Sequence, residues 1–317
     1  MRYSGTVKVF VAGASGAIGK PLVRQLVAAG HEVTGTTRRE ERAEGIRAAS
    51  ARAVVCDVFD ADELEAAVVE AAPEVVVNQL TSLPQDYNPR SIDYGPTNRV
   101  REEGGANLMK AALAAGARRY VTQSIAFIYA PEGEWVLDEE ARPFEDAPAP
   151  FDKGVRAVLA HERQVLDTEG IEGLVLRYGQ FYGPGTYYTP GSGSMALRTS
   201  KRMLPIVGGG EGVTSFIHVE DAAGATVAAL DRGAPGIYNV TDDEPALMRE
   251  WLPVYAEAIG AKPPRRVPVW LARIATGKAG AMFGTQLRGA SNAKAKRELD
   301  WQPSFPSWRQ GFREALG

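Results

Sequence analysis

The sequence predicts an α/β fold of the Rossmann type, a doubly wound parallel sheet with a smaller C-terminal substrate-binding lobe. Three observations predict it. Short β-branched runs alternate with alanine-rich helical segments through the first half of the chain. The first of these runs ends in a glycine loop, Gly13-Ala14-Ser15-Gly16-Ala17-Ile18-Gly19. Beyond residue 180 the alternation gives way to a stretch dense in glycine, proline and tyrosine, from Tyr182 to Gly212.

Val7–Ala12 is a continuous apolar run, as expected of a strand buried on both faces. Pro21–Ala29 places Leu22, Val23, Leu26 and Val27 on one helical face, and Gly30 supplies a stop. His31–Thr37, Ala53–Asp57 and Glu74–Leu80 follow as the second, third and fourth strands. Asp60–Ala72 is a helix between the last two, capped by Asp60 or Asp62. A long helix over Asn98–Ala115, a fifth strand at Arg119–Ser124, a helix over Asp152–Thr168 and a sixth strand at Gly173–Arg177 complete the repeat. Right-handed crossovers then place helices on both faces of the sheet. The later segments are assigned to the lobe: strands at Ser215–His218 and Ile237–Val240, and helices over Ala222–Asp231, Pro245–Ile259, Val269–Thr276 and Ala293–Leu299. The division falls near residues 1–180 and 181–317, intertwined and without a clear linker.

The chain has 317 residues, 44% of them hydrophobic, enough for one large domain or a domain with a lobe. The formal charge is −3, from 36 basic and 39 acidic residues, with no block of like charge. This argues against nucleic acid or an anionic membrane as partner and for a small molecule. No apolar run approaches the length of a membrane span. Cys56 is the single cysteine, so no internal disulfide can form and a reducing, cytoplasmic setting is expected. Beside Asp57 it reads as a small buried side chain. His31, His161 and His218 lack metal-ligand spacing, so no metal is expected.

Gly13, Gly16 and Gly19 recur at three-residue intervals after a buried strand and before an amphipathic helix. Such glycines let the backbone turn sharply and approach a diphosphate closely. The helix starting near Ile18 aims its amides and dipole at that charge, and Ser15, Ala17 and Ile18 complete the cradle. An NAD site places an acid at the end of the second strand, to hold the ribose hydroxyls. Here the segment is Gly35-Thr36-Thr37-Arg38-Arg39. Arg38, with Arg39, suits a 2′-phosphate, so the expected cofactor is NADP(H).

Further segments carry a resemblance. They are Cys56-Asp57-Val58, Val77-Asn78-Gln79-Leu80, Tyr120–Ala130, Leu176-Arg177-Tyr178-Gly179-Gln180, Tyr182-Gly183-Pro184-Gly185, Phe216-Ile217-His218-Val219-Glu220-Asp221, and Ala293–Leu299 with Trp301 and Pro303. With the glycine loop they make nearly the whole chain resemble the extended short-chain dehydrogenase/reductase family, of the NAD-dependent epimerase/dehydratase type. The resemblance implies Asp57 and Val58 at the adenine and Gln79 and Leu80 beside the nicotinamide ribose. It implies Tyr178 against the nicotinamide end, with Gln180 and Tyr182 at the substrate mouth. It also implies a homodimer, built through Asn98–Ala115 and Asp152–Thr168.

The family's catalytic Ser-Tyr-Lys set is missing. Counting back from Glu162 puts Gly154 in the tyrosine slot and Val158 in the lysine slot. The serine slot falls on Ile125, with Ser124 next to it. Hydride transfer would then rest on proximity and a prepared pocket, as in atypical members similar to polyketide-tailoring ketoreductases. Ser124 is a candidate to meet the substrate oxygen, or else to bond nearby backbone. Tyr187 and Tyr188 are candidate donors on a mobile aromatic lid. His161 is a candidate proton carrier, one turn past the lysine slot. Tyr129, and His218 with Asp221, read as structural. Thr214-Ser215 stands where nucleotide-sugar enzymes of the family often carry an arginine, which points to a less charged ligand. The expectation is an NADPH-dependent reductase of a ketone or other carbonyl on a small, aromatic or polyketide-like substrate. Its rivals are an NADP-dependent epimerase, isomerase or dehydratase without net redox, and a non-catalytic NADP-sensing or scaffold protein.

Overall fold

The computed structural model describes residues 5–84 and 92–316. Seven parallel strands form the central sheet: β1 (Lys8–Ala12), β2 (Glu32–Thr37), β3 (Arg52–Val55), β4 (Val75–Asn78), β5 (Arg119–Ile125), β6 (Glu172–Tyr178) and β7 (Gly236–Val240). Their spatial order is β3-β2-β1-β4-β5-β6-β7. The order reverses between β1 and β4, the switch point beyond whose carboxyl ends such sheets bind ligands.

The connecting helices are α1 (Gly19–Ala28), α2 (Glu40–Ala48), α3 (Ala61–Ala71), α4 (Gly95–Arg99), α5 (Gly105–Ala114) and α6 (Phe151–Asp167). Asp60 caps α3 by accepting from the Glu63 amide at 3.0 Å. Alternation along β1 sorts the core. Val9 and Val11 join Leu22 and Leu26 on one face of the sheet, while Phe10 and Ala12 join Val76, Leu108 and Tyr120 on the other.

The structure departs from the sequence reading in three places. First, β7, which the sequence assigns to the lobe, pairs with β6 at the edge of the main sheet. The helix α8 (Val219–Ala228), after α7 (Ser194–Ser200), packs against α1. The 181–317 segment therefore rebuilds part of the first half. Second, the helix expected over Asn98–Ala115 begins at Gly95 and is interrupted by a π-helical turn, Val100–Gly104. Third, α2, α7 and the terminal α12 (Trp308–Leu316) have no counterpart in the sequence reading. α9 (Met248–Ala258), α10 (Val269–Thr285, kinked at Gly277) and α11 (Ala293–Glu298) match expected segments, though α10 runs nine residues beyond Thr276. The lobe core is aromatic, with Tyr188–Tyr255 and Phe216–Trp251 ring centroids each 5.2 Å apart.

Candidate functional site

A cavity of about 1270 Å³ runs from the glycine loop, over the carboxyl ends of β1, β4 and β5, to the lobe. Its outer end is built from backbone. Gly13 sits at φ +87°, and a Cβ there would lie 2.6 Å from the Gln79 carbonyl oxygen. A Cβ on Gly19 would lie 2.2 Å from the Gly13 carbonyl oxygen. These close approaches bring the loop, β4 and α1 together. Gly13, Ser15, Gly16, Ala17, Ile18 and Gly19 all line the cavity. α1 opens at Ile18 with no side-chain cap; its Lys20 amide is taken by the Gly16 carbonyl at 3.1 Å, and the positive end of its dipole lies at the cavity that Ile18 and Gly19 line. Ser15 Oγ donates to Thr37 Oγ1 at 3.1 Å and ties the loop to β2. Exposed Arg38 and Arg39 line the same end, with Arg39 3.8 Å from Glu41. Arg42 of α2 joins them; sequence reading misses it because α2 itself is not anticipated. These residues fit a dinucleotide.

Gln79, Leu80 and Val58 also line the cavity, as expected. Asp57 does not. Its carboxylate accepts from the Phe59 amide at 3.1 Å, holding its own turn, and Cys56 lines the wall in its place. Burial, aided by Glu63, Asp57 and Asp60, pushes the Cys56 thiol up to about 11. Tyr178 does not line the cavity either, but sits behind Gln79. It is fully buried, and its hydroxyl meets Gln79 Nε2 at 3.0 Å and Thr226 Oγ1 at 2.6 Å.

Strand parity decides Ser124. Gln123 and Ile125 line the cavity, whereas Thr122 and Ser124 face α6. Ser124 Oγ donates to Glu162 Oε1 at 2.5 Å. Glu162 in turn holds Arg177 through Nε at 2.8 Å and Nη2 at 2.6 Å, with both side chains 3% exposed. Burial works against the Arg177 charge, but the bonds and charge of Glu162 outweigh it and raise its pKa. Tyr129 receives Arg177 Nη1 at 3.1 Å and donates to Asn239 Oδ1 at 2.7 Å, a structural role as read. Ser124 is thus a member of a buried ion-pair network, and the expectation that it meets substrate is corrected.

His161 is buried, with Nε2 2.8 Å from Thr122 Oγ1. Burial, reinforced by Arg101, lowers it to about 4. It is neutral near pH 7 and is not among the residues lining the cavity. His218 Nδ1 accepts from the Glu220 amide at 3.3 Å, and Asp221 accepts from the Ser304 and Phe305 amides, both local structure as read.

On the lobe side, Gln180 lines the cavity. Tyr182 does not; it is fully buried, edge-on to Phe216 and Phe312. Tyr188 reaches the cavity wall, but its ring is 4% exposed among Phe216, Trp251 and Tyr255. Burial pushes its phenol far up, so it keeps its proton. This is a packed wall rather than a mobile lid. Tyr187 does span the mouth, with its hydroxyl donating to the Pro84 carbonyl at 2.5 Å.

The inner end of the cavity, around the empty catalytic slots, is apolar. Ile125, Phe127, Phe151 and Gly154 line it, while Val158 is buried behind. The ring of Tyr94 fills the space over Gly154, where a Cβ would lie 3.6 Å from Tyr94 Cδ1. Arg101, on the π-helical turn, lines the same end. Burial pushes the Tyr94 phenol up to about 12, with the Arg101 charge pulling the other way. Sequence reading misses both residues, because no spacing rule marks them. Among the described residues no cluster of histidine, cysteine and acidic side chains could hold a metal, and no helix is long and apolar enough to cross a membrane.

The model of the NAD dependent epimerase/dehydratase family matches residues 9–241. The chain belongs to that family. It is 49% identical, over 96% of its length and 99% of the relative's, to a 3-diazoavenalumate denitrifying reductase of a Streptomyces species. It is 26% identical to the 4-hydroxy-2-methyl-3-oxo-4-farnesyl-3,4-dihydroquinoline-1-oxide ketoreductase of Stigmatella aurantiaca, over 81% of this chain and 74% of that one. Among solved structures it is similar to the UDP-glucose 4-epimerase of Thermus thermophilus in complex with NAD. There the TM-score is 0.73, with 25% identity over 97% of each chain. The chain is thus an oxidoreductase-type, atypical member of the extended short-chain dehydrogenase/reductase group, with a cavity suited to a nicotinamide dinucleotide.

Proposed function

We propose that the protein is an NADPH-dependent reductase of a small aromatic substrate, and that the group it reduces needs no proton from the protein. One observation carries this reading: Ile125, Gly154 and Val158 leave the inner end without the serine, tyrosine and lysine that would protonate an alkoxide. Ser124 and Tyr188 do not replace them: Ser124 is bonded to Glu162, and Tyr188 is packed among the rings of the lobe. Tyr94 stands over Gly154, but burial makes its phenol a weaker acid than an ordinary tyrosine. A bound nicotinamide supplies a hydride. The glycine loop and Arg38 hold the dinucleotide, the apolar inner wall excludes water, and Ile125 and Phe127 leave room for a flat ring.

An arenediazonium group matches such a site. The C–N bond breaks with its electron pair leaving on dinitrogen, the hydride forms a C–H bond, and the charges cancel with no proton consumed. The relative named as a denitrifying reductase of a diazo compound, at 49% identity, supports this choice. Carbonyl reduction is the second reading, favoured by the more distant ketoreductase, with water supplying the proton. A rate that stays flat between about pH 6 and 9 is expected in either case, since Tyr94 titrates near 12 and His161 near 4.

The test mixes the purified protein, NADPH deuterated at the transferring position, and a diazotised aminobenzoate. Equimolar NADPH oxidation and dinitrogen release, with deuterium at the former diazo carbon, is the expected result. Oxidation of NADPH by aromatic ketones but not by the diazonium salt would move the assignment to the second reading. No oxidation with either substrate would reject the reductase assignment and favour the non-redox or scaffold alternatives.

A further inference from the structure

The inner end of the cavity holds a cation that none of the described residues neutralises. Arg101 projects from the π-helical turn beside Tyr94 and Gly154, half-buried in the cavity wall. Among the described residues its side chain has one hydrogen-bond acceptor, Asn98 Oδ1, at 3.4 Å. That contact is long and the acceptor is neutral. Glu162, the buried carboxylate whose charge reaches it, is already held by Arg177 and Ser124. Arg99, two residues earlier, shows the usual arrangement, a fork on Glu103 at 2.6 and 3.1 Å. Withdrawing a charge from water without a charged partner is costly even at a half-buried site, and burial accordingly lowers Arg101 to about 10 against the opposing influence of Tyr94 and Glu162. It stays charged near pH 7, with most of its N–H donors unused.

We infer that Arg101 is the seat for an anionic oxygen of the substrate, a carboxylate or a phenolate, at the end of the cavity away from the glycine loop and Arg38. The surroundings suit such a ligand. Ile125, Phe127 and Phe151 offer apolar walls for an aromatic body, and the low local dielectric strengthens a charge-assisted bond at its tip. Arg101 would then fix which carbon of the ring faces the nicotinamide. The inference deepens the reductase reading by naming the substrate's charge, and it does not depend on which group is reduced.

Calorimetry on the NADP-loaded protein tests it with two matched pairs: cinnamate against cinnamamide, and 4-nitrophenolate against 4-nitroanisole. At least one anion is expected to bind about tenfold or more tightly than its neutral partner. Arg101→Gln should erase that preference, Arg101→Lys should keep part of it, and Arg99→Gln should leave it intact. NADPH affinity should change by less than about twofold in Arg101→Gln, since the dinucleotide phosphates sit elsewhere. The pair that responds identifies the oxygen as carboxylate or phenolate. The inference is overturned if neither anion is preferred by the unmodified protein, or if the preference survives Arg101→Gln. It is also overturned if Arg101→Gln, or Arg101→Lys should the glutamine variant not fold, weakens NADPH binding as much as anion binding. Failure of the unmodified protein to bind NADPH is a separate outcome; it rejects the reductase reading while an Arg101-dependent anion preference would still stand.

Discussion

The two ends of the cavity are made differently. At the outer end the wall is backbone: the turn at Gly13, the close approach at Gly19 and the start of α1, which has no side-chain cap. At the inner end, contact depends on side chains, and these have been exchanged wholesale. Ile125, Gly154 and Val158 occupy the places of an acid set, while Tyr94 and Arg101 arrive from a different helix. Cofactor holding and chemistry are therefore separable in this fold. The first is set by a geometry that only glycine satisfies, the second by replaceable groups mounted on it.

Three substitutions would break or sharpen that contrast. The largest effect is expected from Gly19→Val, whose branched side chain would have to enter a space where even a Cβ lies 2.2 Å from the Gly13 carbonyl oxygen. NADPH affinity measured by calorimetry should fall at least about 100-fold. Near-normal binding would mean that close backbone packing does not build the outer end. Next is Arg38→Ala, an exposed residue at the cavity rim. Loss of a charge-assisted phosphate contact should weaken NADPH by about 10- to 100-fold and leave NADH unchanged; equal losses for both would remove the 2′-phosphate assignment. The smallest effect on activity is expected from Ser124→Ala. Taking a donor from the buried Glu162 should cost about 1–3 kcal/mol of stability in denaturant unfolding, with kcat within about twofold. A large drop in kcat at unchanged stability would return Ser124 to the chemistry.

The legibility of the sequence follows the same divide. β1, the glycine loop and α1 can be read directly, because each is dictated by local requirements: a doubly buried strand, a positive φ and an unobstructed helix start. Parity is harder. Ser124 lies near the end of β5 yet points away from the cavity, since neighbouring strand residues face opposite sides; Tyr178 shares the face of its register partner Ile125 but is buried behind Gln79, whose side chain it meets. Counting to the serine slot lands on Ile125, which does face the cavity. Asp57 misleads because its turn claims the carboxylate that an adenine was expected to use. Tyr94 and Arg101 are illegible for another reason. Tyr94 precedes the first turn of α4 and carries no spacing signal, and the π-helical turn shifts which residues after it, Arg101 among them, face inward, which regular 3.6-residue spacing does not reveal. The lobe boundary is blurred because β7 and α8 come late in the chain but belong to the sheet.

That late return has a practical result for anyone dividing the molecule. Severing the chain after residue 180 would strip β6 of its outer neighbour and uncover the side of α1 that α8 shields. The remaining fragment would carry an open strand edge next to bare aliphatic surface, a combination that drives self-association. The helix behind the glycine loop and the sheet edge are thus completed by residues late in the chain, and a piece of this protein cut to hold a dinucleotide should keep Gly236–Val240.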